Sequence, residues 1–122
     1  MTTAHLQFPR HARLLSKPDF QAIFQHADCK SSDQSMTLLA RRNGLDYARL
    51  GMAVGKRVDK KAVVRNRVKR QVRESFRHHQ QNLSGLDIVV LGREGASRME
   101  NSQLMKSLQA HWQKVVDQCA KS

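Results

Sequence analysis

The sequence predicts one α+β domain, a two-layer sandwich in which helices pack on one small mixed sheet. The length of 122 residues suits one domain, and a hydrophobic content of 39% supplies a single modest core. Helix-period and strand-like segments follow the order helix, strand, strand, helix, strand, helix. So few strands must form one sheet with helices packed against it. We therefore assign residues 1–122 to a single domain.

The N-terminal part is predicted to be an arm followed by a short helix. Residues 1–13 lack a sustained hydrophobic period, which predicts a flexible basic arm. The sequence SKPD at 16–19 combines a hydroxyl, a proline and an acid in a helix-start pattern. The helix is expected to end near His26 and to place three apolar side chains on one face: Phe20, Ile23 and Phe24.

Two extended segments, 36–40 and 47–54, flank an Asn43-Gly44 turn. This pattern predicts an antiparallel hairpin, with room for a further short strand near 31–35. Gly51 and Gly55 weaken the second segment intrinsically. We expect another element or a ligand to come close at these two glycines.

Residues 60–77 are predicted to form an amphipathic helix. Its apolar positions recur every fourth residue, at Val64, Val68, Val72 and Phe76. Most of the remaining positions are Lys or Arg, opposed locally only by Glu74. One face therefore requires a core, and the other favours a polyanion.

The C-terminal third is predicted to be a buried strand and a last helix. Residues 86–91 are nearly all apolar, which suits a central strand, and Asp87 at its start is expected to remain accessible to water. The last helix is expected to start at Asn101 or Ser102 and to end before a tail at 119–122. Its apolar stripe comprises Leu104, Leu108, Trp112, Val115 and Cys119.

Composition favours a nucleic-acid partner. Against 22 Lys and Arg stand only 10 Asp and Glu, a formal net charge of +12. No apolar run approaches the roughly 20 residues that span a bilayer, and residues 1–13 lack the apolar stretch of a signal peptide. We therefore expect a cytoplasmic protein with no membrane partner. Cys29 and Cys119 are too few for a zinc site and are expected to be reduced thiols.

No catalytic or metal-binding motif is apparent. There is no glycine-rich phosphate loop, His78 and His79 are adjacent rather than four apart, and ten acids are too few for a protein-held two-metal centre. The basic helix is the candidate site, because the forked guanidinium of arginine matches phosphate oxygens. Phe20 and Phe24 have two interpretations: both seal the sheet, or one edge stacks on an unpaired base.

Several segments resemble the bacterial ribonuclease P protein subunit. They are RNRVKR at 65–70 with KKAVV before it and RESFR after it, RLGMAVGKR at 49–57, DIVVL at 87–91, the helix of Trp112, and Arg13-Leu14 with Asp19, Phe20 and Phe24. The resemblance spans about residues 10–118. It implies an α+β domain with a left-handed parallel crossover through the basic helix, against the right-handed norm. It also implies that a partner RNA supplies the catalytic groups.

The resemblance assigns roles to particular residues. It implies that the protein binds ribonuclease P RNA and the 5′ leader of precursor tRNA, and promotes Mg²⁺-dependent removal of that leader. Mg²⁺ is expected to be bound mainly by the RNA and substrate, with no catalytic or metal-binding residue in the protein. The RNA-binding set is Lys60, Lys61, Arg65, Asn66, Arg67, Lys69, Arg70, Arg73 and Arg77. The leader-binding set is Phe20, Phe24, Lys56 and Arg57. Strand 36–40 lacks the aromatic that relatives carry, so contact there is expected to be aliphatic.

Three other functions compete with this assignment. A non-catalytic RNA-binding protein, such as a ribosomal component, would use the same charge on a similar fold. A DNA-binding module needs side chains that read base edges, whereas the basic helix offers mainly phosphate partners. A protein-only nuclease needs more acids than this chain has.

Overall fold

The structure, a computed structural model, describes residues 15–120. Along the chain it contains helix α1 (Lys17–His26), strands β1 (Cys29–Ser32), β2 (Met36–Arg42) and β3 (Arg49–Ala53), helix α2 (Ala62–His79), strand β4 (Leu86–Gly92), a 3₁₀ helix (Glu94–Arg98) and helix α3 (Asn101–Ala120). The predicted arm, residues 1–13, lies outside the described residues. The predicted tail begins too early, because α3 continues through Cys119 to Ala120.

The four strands form one mixed sheet in the order β1-β2-β4-β3. β4 pairs antiparallel with β2 and parallel with β3, which confirms the predicted α+β class and the parallel connection through the basic helix. The predicted hairpin of β2 and β3 is wrong, since β4 lies between them. β4 is the most apolar strand, and the central position buries both of its faces. β2 instead forms a hairpin with β1.

α2 and α3 pack on one face of the sheet and α1 on the other. Leu38, Leu50, Ile88 and Val90 belong to the main core with the buried faces of α2 and α3. Val89 points the opposite way and is fully buried, as is Ile23 of α1. The predicted stripe of α3 is entirely buried, and Val68, Val72 and Phe76 are buried on α2. Val64 is only partly buried.

A buried hydrogen bond joins α2 to α3 within this apolar contact. The indole Nε1–H of Trp112 donates to Ser75 Oγ at 2.8 Å, and both side chains are buried. The Phe76 ring meets the Trp112 ring edge to face, with centroids 6.1 Å apart. Ser75 is a buried polar residue within the apolar face of α2, and its hydroxyl is satisfied there because it accepts the indole hydrogen bond.

The expectation that water reaches Asp87 is wrong. Asp87 is 6% exposed, and its carboxylate accepts two hydrogen bonds of 2.7 Å from Arg49 Nε and Nη2. Asn43 Nδ2 donates a third, at 2.8 Å, to Asp87 Oδ1. The hydrogen bond to Asp87 raises the pKa of Arg49. Arg49 also reaches Asp19 of α1, with Nη1 at 3.4 Å from Oδ2, so this cluster attaches α1 to the sheet.

A second polar cluster joins the β1–β2 hairpin to α3. Asp33 Oδ1 accepts hydrogen bonds from Ser35 and from the N–H of Met36, and its Oδ2 accepts from Ser107. Burial raises the pKa of Asp33, but these hydrogen bonds outweigh it and hold the pKa well below its usual range. His111 is 2% exposed, and its Nδ1 lies 2.6 Å from Ser31 Oγ. Its Nε2 lies 3.0 Å from Asp33 Oδ2 in an orientation that makes no hydrogen bond.

The prediction of two reduced thiols is wrong in this structure. Cys29 and Cys119 form a disulfide, with their Cα atoms 6.0 Å apart and a sequence separation of 90. The two cysteines are far apart in sequence, so their proximity was not predicted. They meet because α3 runs back along the edge strand β1 and brings its last turn to Cys29. Gln118 beside it is hydrogen-bonded to both backbone polar groups of Lys30.

Candidate nucleic-acid interface

Helix α2 presents a row of unpaired cations to solvent. Lys60, Lys61, Arg70 and Arg73 are exposed, and Lys69 is partly exposed. None of these five side chains makes a hydrogen bond or ion pair with another residue of the described range 15–120. Asn66 is exposed on the same helix. The buried valines determine this geometry, because fixing one face of α2 on the core turns the other face outward.

Two arginines of the predicted set bind the protein's own backbone. Arg65 Nη1 donates to the carbonyls of Asp59 at 3.0 Å and Lys60 at 2.8 Å, just before α2 begins. Arg67 Nη1 donates to Met99 O at 3.0 Å and Asn101 Oδ1 at 2.9 Å. Arg67 Nη2 donates to Ser97 O at 3.3 Å. These arginines keep their charge, but part of their donor capacity is used within the protein.

The last predicted cation of α2 is paired with the acid of the helix. Arg77 Nη2 donates to Glu74 Oε1 and Arg77 Nε to Oε2, the latter at 3.3 Å. His78 Nε2 lies 3.1 Å from Glu74 Oε1. Hydrogen bonding to Arg77 lowers the pKa of Glu74. The C-terminal end of α2 is therefore less cationic than its composition suggests.

A groove of about 540 Å³ separates the first turns of α2 from the start of α3. Its rim includes Val63, which is 72% exposed, an unusual value for a large apolar side chain. The groove therefore combines apolar and cationic surface. Its lining residues are Val63, Val64, Asn66, Arg67, Arg70 and Asn101.

A second cleft, of about 400 Å³, lies at the β3 edge between α1 and α2. Lys69 and Arg73 form one wall, and Phe20 of α1 forms the opposite wall. A Cβ at Gly51 would lie 3.0 Å from two ring carbons of Phe20, so glycine allows this close approach, as predicted. Within the described residues, nothing lies within 4 Å of the same position at Gly55, so no other element comes close there.

Of the predicted leader-binding residues, Phe20 lines this cleft and the other three do not. Phe20 and Phe24 form a tilted pair with centroids 5.3 Å apart. Phe24 is 50% exposed, so the interpretation that both rings seal the sheet is wrong. Lys56 and Arg57 are exposed in the loop after β3 and do not line the cleft.

The described residues 15–120 contain no group of three or more His, Cys, Asp or Glu side chains able to hold a metal ion. The acids nearest the basic helix are already engaged: Asp59 Oδ1 accepts the N–H of Lys61 at 2.8 Å, and Glu74 binds Arg77 and His78. Within the same range, no helix has the length and apolar character needed to cross a membrane.

The predicted site omitted residues that the structure places in it. Asn101 borders the groove, whereas Leu15 and Met52 line the cleft. Asn101 and Leu15 belong to no charge run or motif, and Met52 belongs to the family-like segment 49–57 but was given no role there, so only the tertiary arrangement identifies them. The exception is Gly51, whose presence within a strand indicated a close approach.

A cationic helix exposed on a small α+β domain, without a cluster of acids, is typical of a nucleic-acid-binding subunit. A family model described as Ribonuclease P matches residues 8–116. The ribonuclease P protein component of Marinomonas sp. (strain MWYL1) is 46% identical over 114 residues, which cover 93% of this chain and 86% of that protein. That of Pseudomonas aeruginosa (strain PAO1) is 45% identical over 109 residues, covering 89% and 81%.

Solved structures agree with these matches. The RNase P protein of Staphylococcus aureus superposes with a TM-score of 0.78 at 30% identity, covering 86% of this chain and 97% of that chain. The Thermotoga maritima protein gives 0.70 at 33% identity, covering 83% and 96%. The chain belongs to the ribonuclease P protein family, which confirms the resemblance. It is a protein component of a ribonucleoprotein endoribonuclease that processes tRNA, and its partner there is RNA.

Proposed function

We propose that α2 binds the catalytic RNA of ribonuclease P and that the cleft between α1 and α2 binds the 5′ leader of precursor tRNA. The protein then promotes Mg²⁺-dependent hydrolysis that removes the leader and leaves the mature 5′ end. One observation carries this proposal: among the unpaired cations of α2, Arg70 borders the groove, and Lys69 and Arg73 border the cleft. One helix can therefore contact two RNA molecules at once.

The assignment to ribonuclease P RNA rests on the charge and form of α2. Lys60, Lys61, Lys69, Arg70 and Arg73 are available to phosphates without breaking an internal bond. These side chains bind phosphates and displace condensed counterions, so they do not read base edges. Binding of this kind suits a folded RNA that is recognised by its shape. Membership of the ribonuclease P protein family supports ribonuclease P RNA as this partner.

The assignment of the leader rests on the cleft and on Phe24 of α1, whose ring packs against Phe20 of the cleft. Phe24 offers an exposed ring on which an unpaired base can stack, while Lys69 and Arg73 meet the leader's phosphates. Leu39, which is paired with Val89 on the α1 side of the sheet, supplies the aliphatic contact expected from strand β2. Lys56 and Arg57 extend the positive surface beyond the cleft.

Mg²⁺ is proposed to be held by the RNA and the substrate. The protein lowers the repulsion between their phosphates, because the unpaired side chains of Lys69, Arg70 and Arg73 lie at the groove and the cleft assigned to the two RNA molecules. Less Mg²⁺ is then needed to bring substrate and catalytic RNA together. We place this activity in the cytoplasm, where tRNA precursors are made.

Reconstitution tests the proposal. The protein is mixed with ribonuclease P RNA and precursor tRNA at a Mg²⁺ concentration at which the RNA alone is nearly inactive. We expect cleavage at the mature 5′ end, and stronger binding of precursor than of mature tRNA. Failure of the protein to stimulate cleavage would overturn the proposal. Stimulation that is the same with or without a leader would overturn the role of the cleft.

A further inference from the structure

We infer that Arg67 is a positioning residue that fixes the start of α3 against α2 and so sets the shape of the groove where RNA binds. This inference rests on the proposed binding of ribonuclease P RNA by α2. It changes the role of Arg67 from a phosphate contact, as the resemblance implies, to an internal clamp. The phosphate contacts at the groove are then left to Arg70 and its unpaired neighbours on α2.

The hydrogen bonds of Arg67 account for this role. Three of its five N–H donors are used within the protein, on the carbonyls of Ser97 and Met99 and on the side chain of Asn101. Ser97 lies in the 3₁₀ helix, Met99 directly follows that helix, and Asn101 is the first residue of α3. A single planar guanidinium therefore holds a short connecting segment at three points, which a lysine ammonium cannot do with the same geometry.

Arg67 makes hydrogen bonds that join this segment to α2. Ser97 belongs to the 3₁₀ helix and Met99 follows it, and the bonds of their carbonyls to α2 through Arg67 are lost when Arg67 is replaced. Ala96 anchors the 3₁₀ helix in the core, but Met99 is only partly buried. Arg67 thus fixes the stretch between Ala96 and the first turn of α3.

The groove depends on this stretch. Asn101 forms one wall, and Val63, Asn66 and Arg70 of α2 form the other. Arg67 joins the two walls at the base, where its Nη1 bonds Asn101 Oδ1. The spacing between the walls determines which phosphates Asn66 and Arg70 reach together. Loss of the clamp therefore weakens RNA binding without removing a direct contact.

The experiment compares Arg67→Gln and Arg67→Lys with Arg70→Gln and Arg70→Lys. Binding to ribonuclease P RNA is measured at several salt concentrations, at a temperature where circular dichroism shows every variant folded. A phosphate contact contributes about 0.7 to 0.9 to the slope of log affinity against log salt. Arg70 serves as the reference, because it is exposed on the same helix and has no partner in the described range.

We expect both Arg67 variants to bind about tenfold more weakly than the wild type with an unchanged salt slope. Arg70→Gln should lower the slope by about one phosphate contact, while Arg70→Lys stays near the wild type. The inference is overturned if Arg67→Lys binds like the wild type and Arg67→Gln shows a shallower slope, as for a phosphate contact. It is also overturned if both folded Arg67 variants bind like the wild type, which would make Arg67 merely structural.

A failure of the proposed function is recognised separately. If the wild-type protein itself does not bind ribonuclease P RNA better than an unrelated folded RNA of equal length, the RNA assignment fails before any Arg67 variant is compared. The Asn101→Ala variant adds an independent measurement. It removes one acceptor of the clamp and no charge, so we expect weaker binding with the wild-type slope, and a shallower slope would contradict the inference.

Discussion

Replacing Arg49 by methionine should destabilise the protein more than replacing its partner Asp87 by asparagine. Arg49→Met removes both 2.7 Å hydrogen bonds and leaves a carboxylate whose side chain is 8% exposed with only the bond from Asn43. Removing one partner of a buried ion pair costs about 3–5 kcal/mol. Because the Arg49 side chain is 23% exposed, water offsets part of this cost, and we expect about 3 kcal/mol.

Asp87→Asn should cost less, about 1–2 kcal/mol, because Arg49 retains Asp19 and some water. The double variant Arg49→Met/Asp87→Asn should be more stable than Arg49→Met alone, since it contains no unpaired buried charge. Urea unfolding is followed by the fluorescence of Trp112, the single tryptophan. Arg98→Met is the control, because its pair with Glu94 is mostly exposed and should contribute little.

Two results would refute this reasoning about Arg49. One is a loss in Asp87→Asn equal to or larger than the loss in Arg49→Met. The other is a double variant as unstable as the sum of the two single variants, which would show that the charges do not interact. A loss in Arg98→Met as large as that in Arg49→Met would show that burial does not matter.

Three further predictions concern other parts of the molecule. Asp33→Asn should lower the free energy of unfolding at pH 7 by about 1 kcal/mol, because the side chain of Asp33 is 40% exposed and water weakens the contribution of its hydrogen bonds. The folded-state pKa of Asp33 is depressed, so the stability that its carboxylate contributes is present above the unfolded-state pKa of about 3.9. The loss of stability in Asp33→Asn should therefore shrink as the pH falls below about 4. A loss that does not depend on pH would contradict this. Reduction of the Cys29–Cys119 disulfide should lower the free energy of unfolding in urea by about 2–4 kcal/mol. Reductant should not change the stability of the control variant Cys29→Ser/Cys119→Ser. If the wild type is equally stable with and without reductant, the disulfide is contradicted. Gly51→Val should displace Phe20 and reduce the preference for precursor over mature tRNA about tenfold in equilibrium binding, whereas Gly55→Val, in open space, should not; equal effects would exclude the cleft.

Local pattern predicted the elements of this fold better than their pairing. The four-residue repeat of α2 and the stripe of α3 identified buried faces, because helix period directly reports which side meets a core. The Asn43-Gly44 turn is present, with Gly44 at φ 70°, but it does not close a two-strand hairpin. β4 lies between β2 and β3 because it is the strand that can be buried on both faces. This choice depends on comparing the hydrophobicity of segments that are far apart in sequence, and no local motif contains that information.

In the candidate site, the exposed cations could be predicted from the sequence, whereas the internal contacts of Arg67 could not. Exposed cations such as Arg70 and Arg73 lie where the helix period puts them. The sequence alone cannot show that Arg67 binds the connection before α3, because its acceptors are mainly backbone carbonyls about 30 residues away. The pairing of Arg77 with Glu74 was within reach of sequence reasoning, since the two are three apart on one helix.

The Mg²⁺ requirement of the reconstituted enzyme tests the central claim, that the unpaired cations of α2 join the protein to the catalytic RNA. Cleavage of precursor tRNA is measured against Mg²⁺ concentration for Arg70→Glu/Arg73→Glu and for Lys106→Glu/Lys114→Glu. The second pair makes the same charge change on exposed positions of α3. We predict that only the α2 variant needs several-fold more Mg²⁺ for half-maximal cleavage. An equal requirement in both variants, or an unchanged one in the α2 variant, would contradict the claim.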